Sequence, residues 1–459
     1  MSSSSINLSS ILQAAFNTQS EGIDVSAAVN SALEAEAAPE AEWENEQATL
    51  KSQTSDLNSL ETLITTLESS LTALSSPTGA INSLTVTSSD SSLVTAVAAS
   101  GTLTGSHTVV VNNLATAGSW YSASEASAAT ALSAGSFQLQ VGAGAATTIT
   151  INSGDTLTTI ANDINSQDLG VTASVITDST GSRLAIESNA TGSADDFTIS
   201  NENGLSFTRA ATGTDASLVV DGIPIDSASN TVTGAIEGVT LNLEGASPST
   251  TVNLSIAADQ TQVTDAVNSF VTAYNAAIEQ VNTEYSYDTS TSTQGVLAGD
   301  STLEELQTDL LASASYTAGT GSGVSSLADL GITMNNDGTL TVDSATLTNA
   351  VANNFSAVQS FLQGASSSSA SGFANYLNTQ LSALTDSTNG AFTVDLQSIS
   401  SENTSLQDSI DNFNDYLATE KTYLTDEYSA AEEALEQLPT QESQIQAELG
   451  ENSNGGSNS

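Results

Sequence analysis

Large apolar residues recur every seven positions near both ends of the chain, and between those ends the hydrophobic period drops to two. Near the N-terminus Leu50, Leu57, Ile64 and Leu71 share one heptad position, and Leu60, Leu67 and Leu74 share a second, three residues on. Alternating three-four spacing is the seam of a long helix packed on another helix. Near the C-terminus Ile410, Leu417, Leu424, Ala431 and Leu438 repeat the period, with Leu406 and Phe413 as offset partners.

Local signals fill in the elements. Residues 1 to about 22 are Ser-rich and are expected to be disordered before assembly. Ile23 to Ala37 reads as a short helix with Asp24 or Ser26 as cap and Val25, Val29 and Leu33 on one stripe. Pro39 favours a first helical turn, so a new helix is expected from about Glu40, with Glu40, Glu42, Glu44 and Glu46 suiting its N-terminal end. Pro77 and Gly79 end it near Ser75. Short alternating runs then predict strands at Leu84 to Thr87, Leu93 to Ala98, Thr108 to Val111, Phe137 to Val141, Thr147 to Ile151, Val171 to Ile176, Leu184 to Ile186, Ser217 to Val220, Asn230 to Val232 and Val239 to Leu243. A helix presenting Leu157, Ile160 and Ile164 sits among them, and residues 116 to 134 read as a Ser/Ala-rich link.

Helical spacing returns with Val263, Val267, Phe270, Tyr274, Ile278 and Val281. Further helices are expected at Thr302 to Ala314, around Leu347, Val351 and Phe355, and from Phe373 to Leu384. Asn335 to Gly338 lies between two apolar runs and predicts a hairpin. The C-terminal heptads occupy about Val394 to Leu438, Pro439 is expected to kink or break them, 365–372 reads as a linker and the tail from Glu451 as flexible.

The nesting predicts an α+β multidomain fold: a discontinuous helical bundle with coiled-coil-like terminal helices and an inserted pair of β-rich domains. The expected divisions are mobile terminal helices (1–38 and 431–459), a helical bundle (39–78 and 258–430), a β-rich domain (79–116 and 209–257) and a nested α+β outer domain (117–208).

Composition narrows the function. The chain has 459 residues, 38% hydrophobic, with 53 acidic and 4 basic residues and a net charge of −49. Lys51, Arg183, Arg209 and Lys421 are the whole basic complement. Without a basic patch, binding to nucleic-acid phosphates or anionic lipid is excluded. Salt bridges can contribute little, so contacts must be apolar or hydrogen-bonded. Associating copies repel over a Debye length of roughly 8 Å. The absence of cysteine rules out disulfides and Cys-based metal sites. Neither a signal peptide nor a membrane span is visible, so no membrane insertion is expected, and work outside the cell would need export without a cleaved signal.

No catalytic constellation stands out. The lone His107 opens a β-run, no Gly-x-Ser-x-Gly elbow surrounds a serine, Asn335 to Gly338 lacks the rest of a calcium loop, and no Gly-rich phosphate loop carries a lysine. The expectation is no enzyme, no cofactor and no metal. The seam residues Leu50, Leu57, Leu60, Ile64, Leu67, Leu71, Leu74, Leu406, Ile410, Phe413, Leu417 and Leu424 read either as intramolecular core or as a self-assembly surface, core being the better reading for Leu57 to Leu74 and Val263 to Val281. The outer pieces, with Val25, Val29, Leu33, Leu435, Leu438 and Ile445, read as weaker helices that order against partners.

Five strings in order carry a resemblance: Ile23-Asp24-Val25 leading to Leu33 and Pro39; Gly170 to Val175 followed by Gly181-Ser182-Arg183-Leu184; Phe270-Val271-Thr272-Ala273-Tyr274-Asn275; Leu297 to Leu303; and Leu330-Gly331-Ile332-Thr333 followed by Asp337-Gly338-Thr339-Leu340. Over residues 23 to 449 the chain resembles the bacterial flagellar filament-capping proteins, the flagellar hook-associated protein 2 family. The resemblance implies export through the flagellar channel and a ring of about five subunits at the filament tip. It implies β-domains forming a plate, helical legs reaching flagellin, and retention and folding of exported flagellin. It also implies hook-filament junction proteins and an export chaperone for the C-terminal helix as partners, and adhesion in some members. Members usually mix charge signs in the leg helices; here Lys51 and Lys421 are nearly alone. The rival readings are another axial flagellar protein, flagellin or a junction protein, and a secreted adhesin on a coiled-coil stalk.

Overall fold

In the computed structural model, residues 24–289, 293–318, 323–364 and 371–454 are described. The expectations for 1–22, most of 365–372 and the end of the tail lie outside them.

Helix α1 (Val25–Glu36) starts where the Asp24 carboxylate accepts the Ala27 N–H at 2.9 Å. Helix α2 (Ala38–Ser75) follows with Pro39 in its first turn, two residues earlier than Glu40. Its heptads go inward: Leu57, Leu60, Ile64, Leu67, Leu71 and Leu74 have no solvent exposure.

The chain then leaves the bundle through β1 (Leu84–Ser88), β2 (Val94–Ala98) and β3 (Gly105–Asn113). A second excursion contains β4 (Ser119–Ser122), β5 (Gly135–Val141), β6 (Thr147–Ile151), α3 (Leu157–Ser166), β7 (Val171–Asp178), β8 (Gly181–Ser188), β9 (Phe197–Asn203) and β10 (Phe207–Ala211). The return path holds β11 (Ala216–Val220), β12 (Ile223–Ser227), β13 (Thr231–Ile236), β14 (Val239–Leu243) and β15 (Val252–Ala258). Both necks are pinned by paired backbone. Leu84 pairs with Ala258, and the Asp259 N–H donates to Ser83 O at 2.9 Å where the insert meets the bundle. Thr116 and Thr214 exchange backbone bonds of 2.9 and 3.2 Å at the inner neck.

The inner β-unit is a sandwich of sheet β1-β15-β3-β11-β12 on sheet β13-β14-β2. Alternation explains it: β11 and β14 bury every second residue, and Val109, Leu218, Leu241 and Leu254 fill the middle. The outer unit has sheets β10-β4-β8-β7 and β6-β5-β9 with α3 against the shared core of Phe137, Ile149, Ile160, Leu184 and Phe197. Within 116–134, expected as a link, β4 forms; strands β9, β10, β12 and β15 also lie beyond the period-two runs read from the sequence.

The bundle resumes with α4 (Gln260–Tyr285), a short ribbon of β16 (Tyr287–Asp288) and β17 (Thr293–Gln294), and α5 (Ser301–Ala314). The hairpin β18 (Ile332–Met334) and β19 (Leu340–Val342) follows, then α6 (Ser344–Asn353), α7 (Phe355–Gln363), α8 (Phe373–Leu384) and α9 (Ala391–Asn454). Helix α4 lies on α2, and their seams share one core with Leu306, Phe361, Phe373 and Phe392. Each such side chain contributes about 1.5–3 kcal/mol by leaving water. Tyr274 is buried there; its hydroxyl donates to Leu310 O at 2.9 Å, and burial pushes its phenol up.

Helix α9 corrects the expectation of a break at Pro439: it runs through that residue. Proline removes one N–H bond to the carbonyl four residues back. Exposed helix surface surrounds this stretch, so water can serve that carbonyl.

Candidate assembly surfaces

Two strings from the sequence have local structural jobs. Asp300 caps α5 by accepting the N–H groups of Thr302 and Leu303 at 2.8 and 3.2 Å, and Leu297 is buried. The buried Glu284 accepts the Leu297 N–H at 3.2 Å and the Gln280 amide at 3.3 Å, which ties the α4–α5 connection to its helix. In the hairpin, Gly338 sits at φ 84° with Leu311 and Ile278 so near that a Cβ would meet them at 2.9 and 3.1 Å. Glu284 continues the buried stripe of its helix three residues past Val281, but as a carboxylate it gives no apolar signal in the sequence.

Beyond the bundle, α2 and α1 run antiparallel to α9. Gln47 donates to Gln407, Trp43 packs on Phe413, Asn414 donates to Glu40, and Val29 and Ala32 bury against Leu424 and Tyr428, so position rises on one strand of the pair as it falls on the other. The expected seam residues divide. Leu50, Ile410 and Leu424 are buried, while Leu406, Phe413 and Leu417 are half-buried. The residues expected to reach partners divide too. Val29 is occupied within the chain at 2% exposure, Val25, Leu33 and Leu435 are half-buried, and Leu438 and Ile445 stand 54% and 57% exposed. Tyr416 and Tyr423, one heptad apart, are also exposed; the heptad reading assigned these tyrosines no place.

Charge is sparsely paired. Lys51 and Lys421 are exposed on α2 and α9. Arg209 is tied to Asp196, whose carboxyl burial would raise, but bonds from Arg209 and the Gly213 N–H hold it below the usual range. His107 Nδ1 lies 2.7 Å from Asp221 Oδ2. That bond, with the Thr108 N–H, keeps the Asp221 carboxyl low. This pair braces β3 against the β11–β12 turn, where Asp221 has φ 50°. Among the described residues no group of three metal-ligating side chains gathers, and no helix is long and apolar enough to cross a membrane.

The outer sheet carries a groove of about 590 Å³ on its open face. Small side chains of Ser119, Ser174, Ala185 and Ala210 form its floor, framed by Tyr121, Ile176 and Arg183 at one end and Glu187 at the other. The Arg183 guanidinium lies 5.7 Å from the centre of the Tyr121 ring.

Comparisons with known proteins match this architecture. Residues 213–440 match the family model "Flagellar hook-associated protein 2 C-terminus", 21–118 its N-terminus counterpart, and 136–190 the "Flagellin hook IN motif". The B-type flagellar hook-associated protein 2 of Pseudomonas aeruginosa is 29% identical over 49% of this chain and 54% of its own length. The flagellar hook-associated protein 2 of Escherichia coli K12 is 33% identical over 47% of this chain and 51% of its own. The chain thus spans about half the length of the curated relatives it matches. The crystal structure of the flagellar cap protein FliD D1-D2-D3 domains from Escherichia coli superimposes with a TM-score of 0.59 at 27% identity, covering 75% of this chain and 99% of that one.

Proposed function

This chain belongs to the flagellar hook-associated protein 2 family, and from that premise we propose that it is a filament cap, a homo-oligomeric plate at the flagellar tip. The observation that carries the reading is the division of labour in one chain: a bundle with paired helical arms at one end and two successively inserted β-units. The β-units form the plate. The seam residues Leu57 to Leu74 hold the bundle within each subunit, and the arms engage flagellin through Leu438, Ile445 and the half-buried Leu435. The cap retains exported flagellin and promotes its folding and insertion. Its action is steric and mechanical rather than catalytic.

The proposed divisions are a bundle (39–78 with 258–430), an inner β-unit (79–116 with 209–257), an outer unit (117–208) and terminal arms (1–38 and 431–459); separate cores support the first three, while the arm contact of Val29 and Ala32 reaches back to Leu424 and Tyr428. Further partners are the hook-filament junction proteins and a chaperone for the C-terminal helix before export. Adhesion is a secondary role of the outer unit.

The test is complementation. In a motile bacterium stripped of its own capping protein, expression of this chain should restore filaments and stop loss of flagellin to the medium. Export of the chain with flagellin still lost would overturn the reading. Assembly of the pure protein into long filaments would move it to flagellin, and a strictly monomeric chain that binds surface glycans would move it to an adhesin.

A further inference from the structure

The β2–β3 turn of the inner β-unit holds a large apolar side chain out in solvent. Leu103 is 85% exposed, more than any other large hydrophobic residue among the described ones. The turn beneath it is braced. The Ala99 N–H donates to Gly238 O at 2.8 Å, the Thr102 N–H to Ala99 O at 3.1 Å, and the Thr102 hydroxyl to Ala99 O at 2.7 Å. Gly101 supplies the left-handed residue at φ 88°. Leu103 is therefore a preorganised knob, which lowers the entropy lost when it is gripped. The exposed Glu237 lines a shallow hollow together with this turn, from Ala99 to Leu103.

The outer unit offers a shape and charge that fit it. The groove floor is made of small side chains, and the exposed parts of Tyr121 and Ile176 make an apolar mouth. Arg183 stands at that mouth, and its nearest carboxylate, Asp178, is 3.9 Å away at the limit of an ion pair. Arg209 is already committed to Asp196, which leaves Arg183 as the loosely paired cation of the β-units. Glu187, four residues along β8 or about 13 Å at strand rise, gives the other end the opposite sign. An incoming apolar knob flanked by a carboxylate is thus steered to one end.

We propose that the groove on sheet β10-β4-β8-β7 receives the β2–β3 turn of a second copy of this chain, with Leu103 between Tyr121 and Ile176 and Glu237 facing Arg183. The inference rests on the ring-forming cap reading and names its contact. A closed ring needs heterologous joints, in which one patch of a chain meets a different patch of its neighbour. Knob and groove lie on different units of the chain and satisfy that requirement. With a net charge of −49, copies repel almost everywhere else. A joint that sets one of four basic residues against a carboxylate is where the repulsion is least.

The chain contains no cysteine, so engineered thiols report the contact without background. A Leu103→Cys chain mixed with an Ala185→Cys chain should cross-link on mild oxidation, while either alone should not. A chain carrying both should give a ladder that stops at the ring size. Arg183→Glu and Glu237→Arg should each weaken association about tenfold, about 1.4 kcal/mol, and their combination in one chain should restore it. Unchanged far-ultraviolet circular dichroism keeps misfolding apart from lost contact. Wild-type rings with no thiol cross-link, or without charge-swap rescue, overturn the joint and leave the cap reading standing. A wild-type chain that never closes into an oligomer sinks the cap reading and the joint with it. Glycan binding that Arg183→Glu abolishes while rings form normally assigns the groove to a surface ligand and overturns the joint.

Discussion

Trp43 on α2 and Phe413 on α9 meet edge to face, ring centroids 5.5 Å apart and planes at 86°. Both are half-buried, and the contact lies where the arm pair leaves the bundle core. Gln47 reinforces it one turn on, donating at 3.2 Å to Gln407 and at 3.3 Å to Asn403 O. Edge-to-face pairs couple by about 0.5–1.5 kcal/mol beyond their buried area. A double-mutant cycle of Trp43→Ala and Phe413→Ala, read as local opening by amide hydrogen exchange over residues 400–420, should return a coupling in that range. Strict additivity would mean that the arms are held by backbone packing alone.

Residues with the same heptad signature should respond very differently to truncation. Leu67 has no exposure and lies in the shared core of α2 and α4. Leu67→Ala should therefore cost about 2–5 kcal/mol of bundle stability in urea unfolding. Leu438→Ala and Ile445→Ala, on exposed side chains, should stay within about 0.5 kcal/mol. If the arms engage flagellin, those two variants should lower filament assembly despite intact folding. Equal assembly by wild type and the Leu438→Ala, Ile445→Ala double variant would remove these residues from the contact.

Legibility in the sequence follows how strongly a residue's neighbours are local. Leu57 to Leu74 and Val263 to Val281 are plain because an α-helix buries one stripe along its whole length. The hairpin at Asn335 to Gly338 is plain because the turn dictates Gly. Strand β12 is hidden because Ile223-Pro224-Ile225 places a proline inside it, which the structure tolerates at the edge of the five-stranded sheet. Strand β4 is hidden in a Ser-rich link, since Trp120 and Tyr121 point to opposite sides of the sheet and only the tertiary fold decides which is covered. The continuation of α9 past Pro439 reflects solvent rather than sequence. The groove was not legible at all: small residues from four strands become a floor only once the strands pair.

Acidity should act through Asp300 and, in the opposite sense, Asp329. Asp300 caps α5, and the Thr302 hydroxyl donates to Asp395 at the root of α9. Burial first, and then the neighbouring Asp395 charge, push the Asp300 carboxyl above its usual value of 3.8. None of the chain's four basic residues is within ion-pair distance of it. A raised acid favours the protonated folded form. Its contribution to stability is full below 3.8 and is lost as pH rises through the raised value. Asp300→Asn keeps a capping side chain and removes the like-charge contact. It should stabilise the bundle at neutral pH, by an amount reduced because Asp300 is partly exposed, with the gain vanishing in acid. Asp329 runs the other way: bonds from Ser325 and Ser326 hold its carboxyl low, so its contribution is present above 3.8 and lost as pH falls through the lowered value. Thermal unfolding followed on both sides of pH 3.8 separates the two, Asp300 acting above that value and Asp329 below it; an Asp300→Asn variant with no pH-dependent gain would deny the repulsion.

Salt should promote association of this protein. With a net charge of −49 and 4 basic residues, each copy brings an almost wholly negative field to any assembly it joins. Among the described residues, the ion pairs join His107 to Asp221, Arg183 to Asp178 and Arg209 to Asp196, all inside the β-units, so the arms and bundle have no short ion pair for salt to weaken. Screening therefore removes repulsion and little attraction. Raising ionic strength from about 0.01 M to about 1 M shortens the Debye length from about 30 Å to about 3 Å, which screens most of the repulsion between exposed charges on separate copies. Kosmotropic salts such as sulfate would in addition favour burial of apolar contacts such as the proposed Leu103 joint. Light scattering should show the oligomeric fraction rising with sodium chloride at fixed protein concentration. A fall would mean that the rare cations, and Arg183 above all, supply more of the assembly energy than the acidic surface opposes.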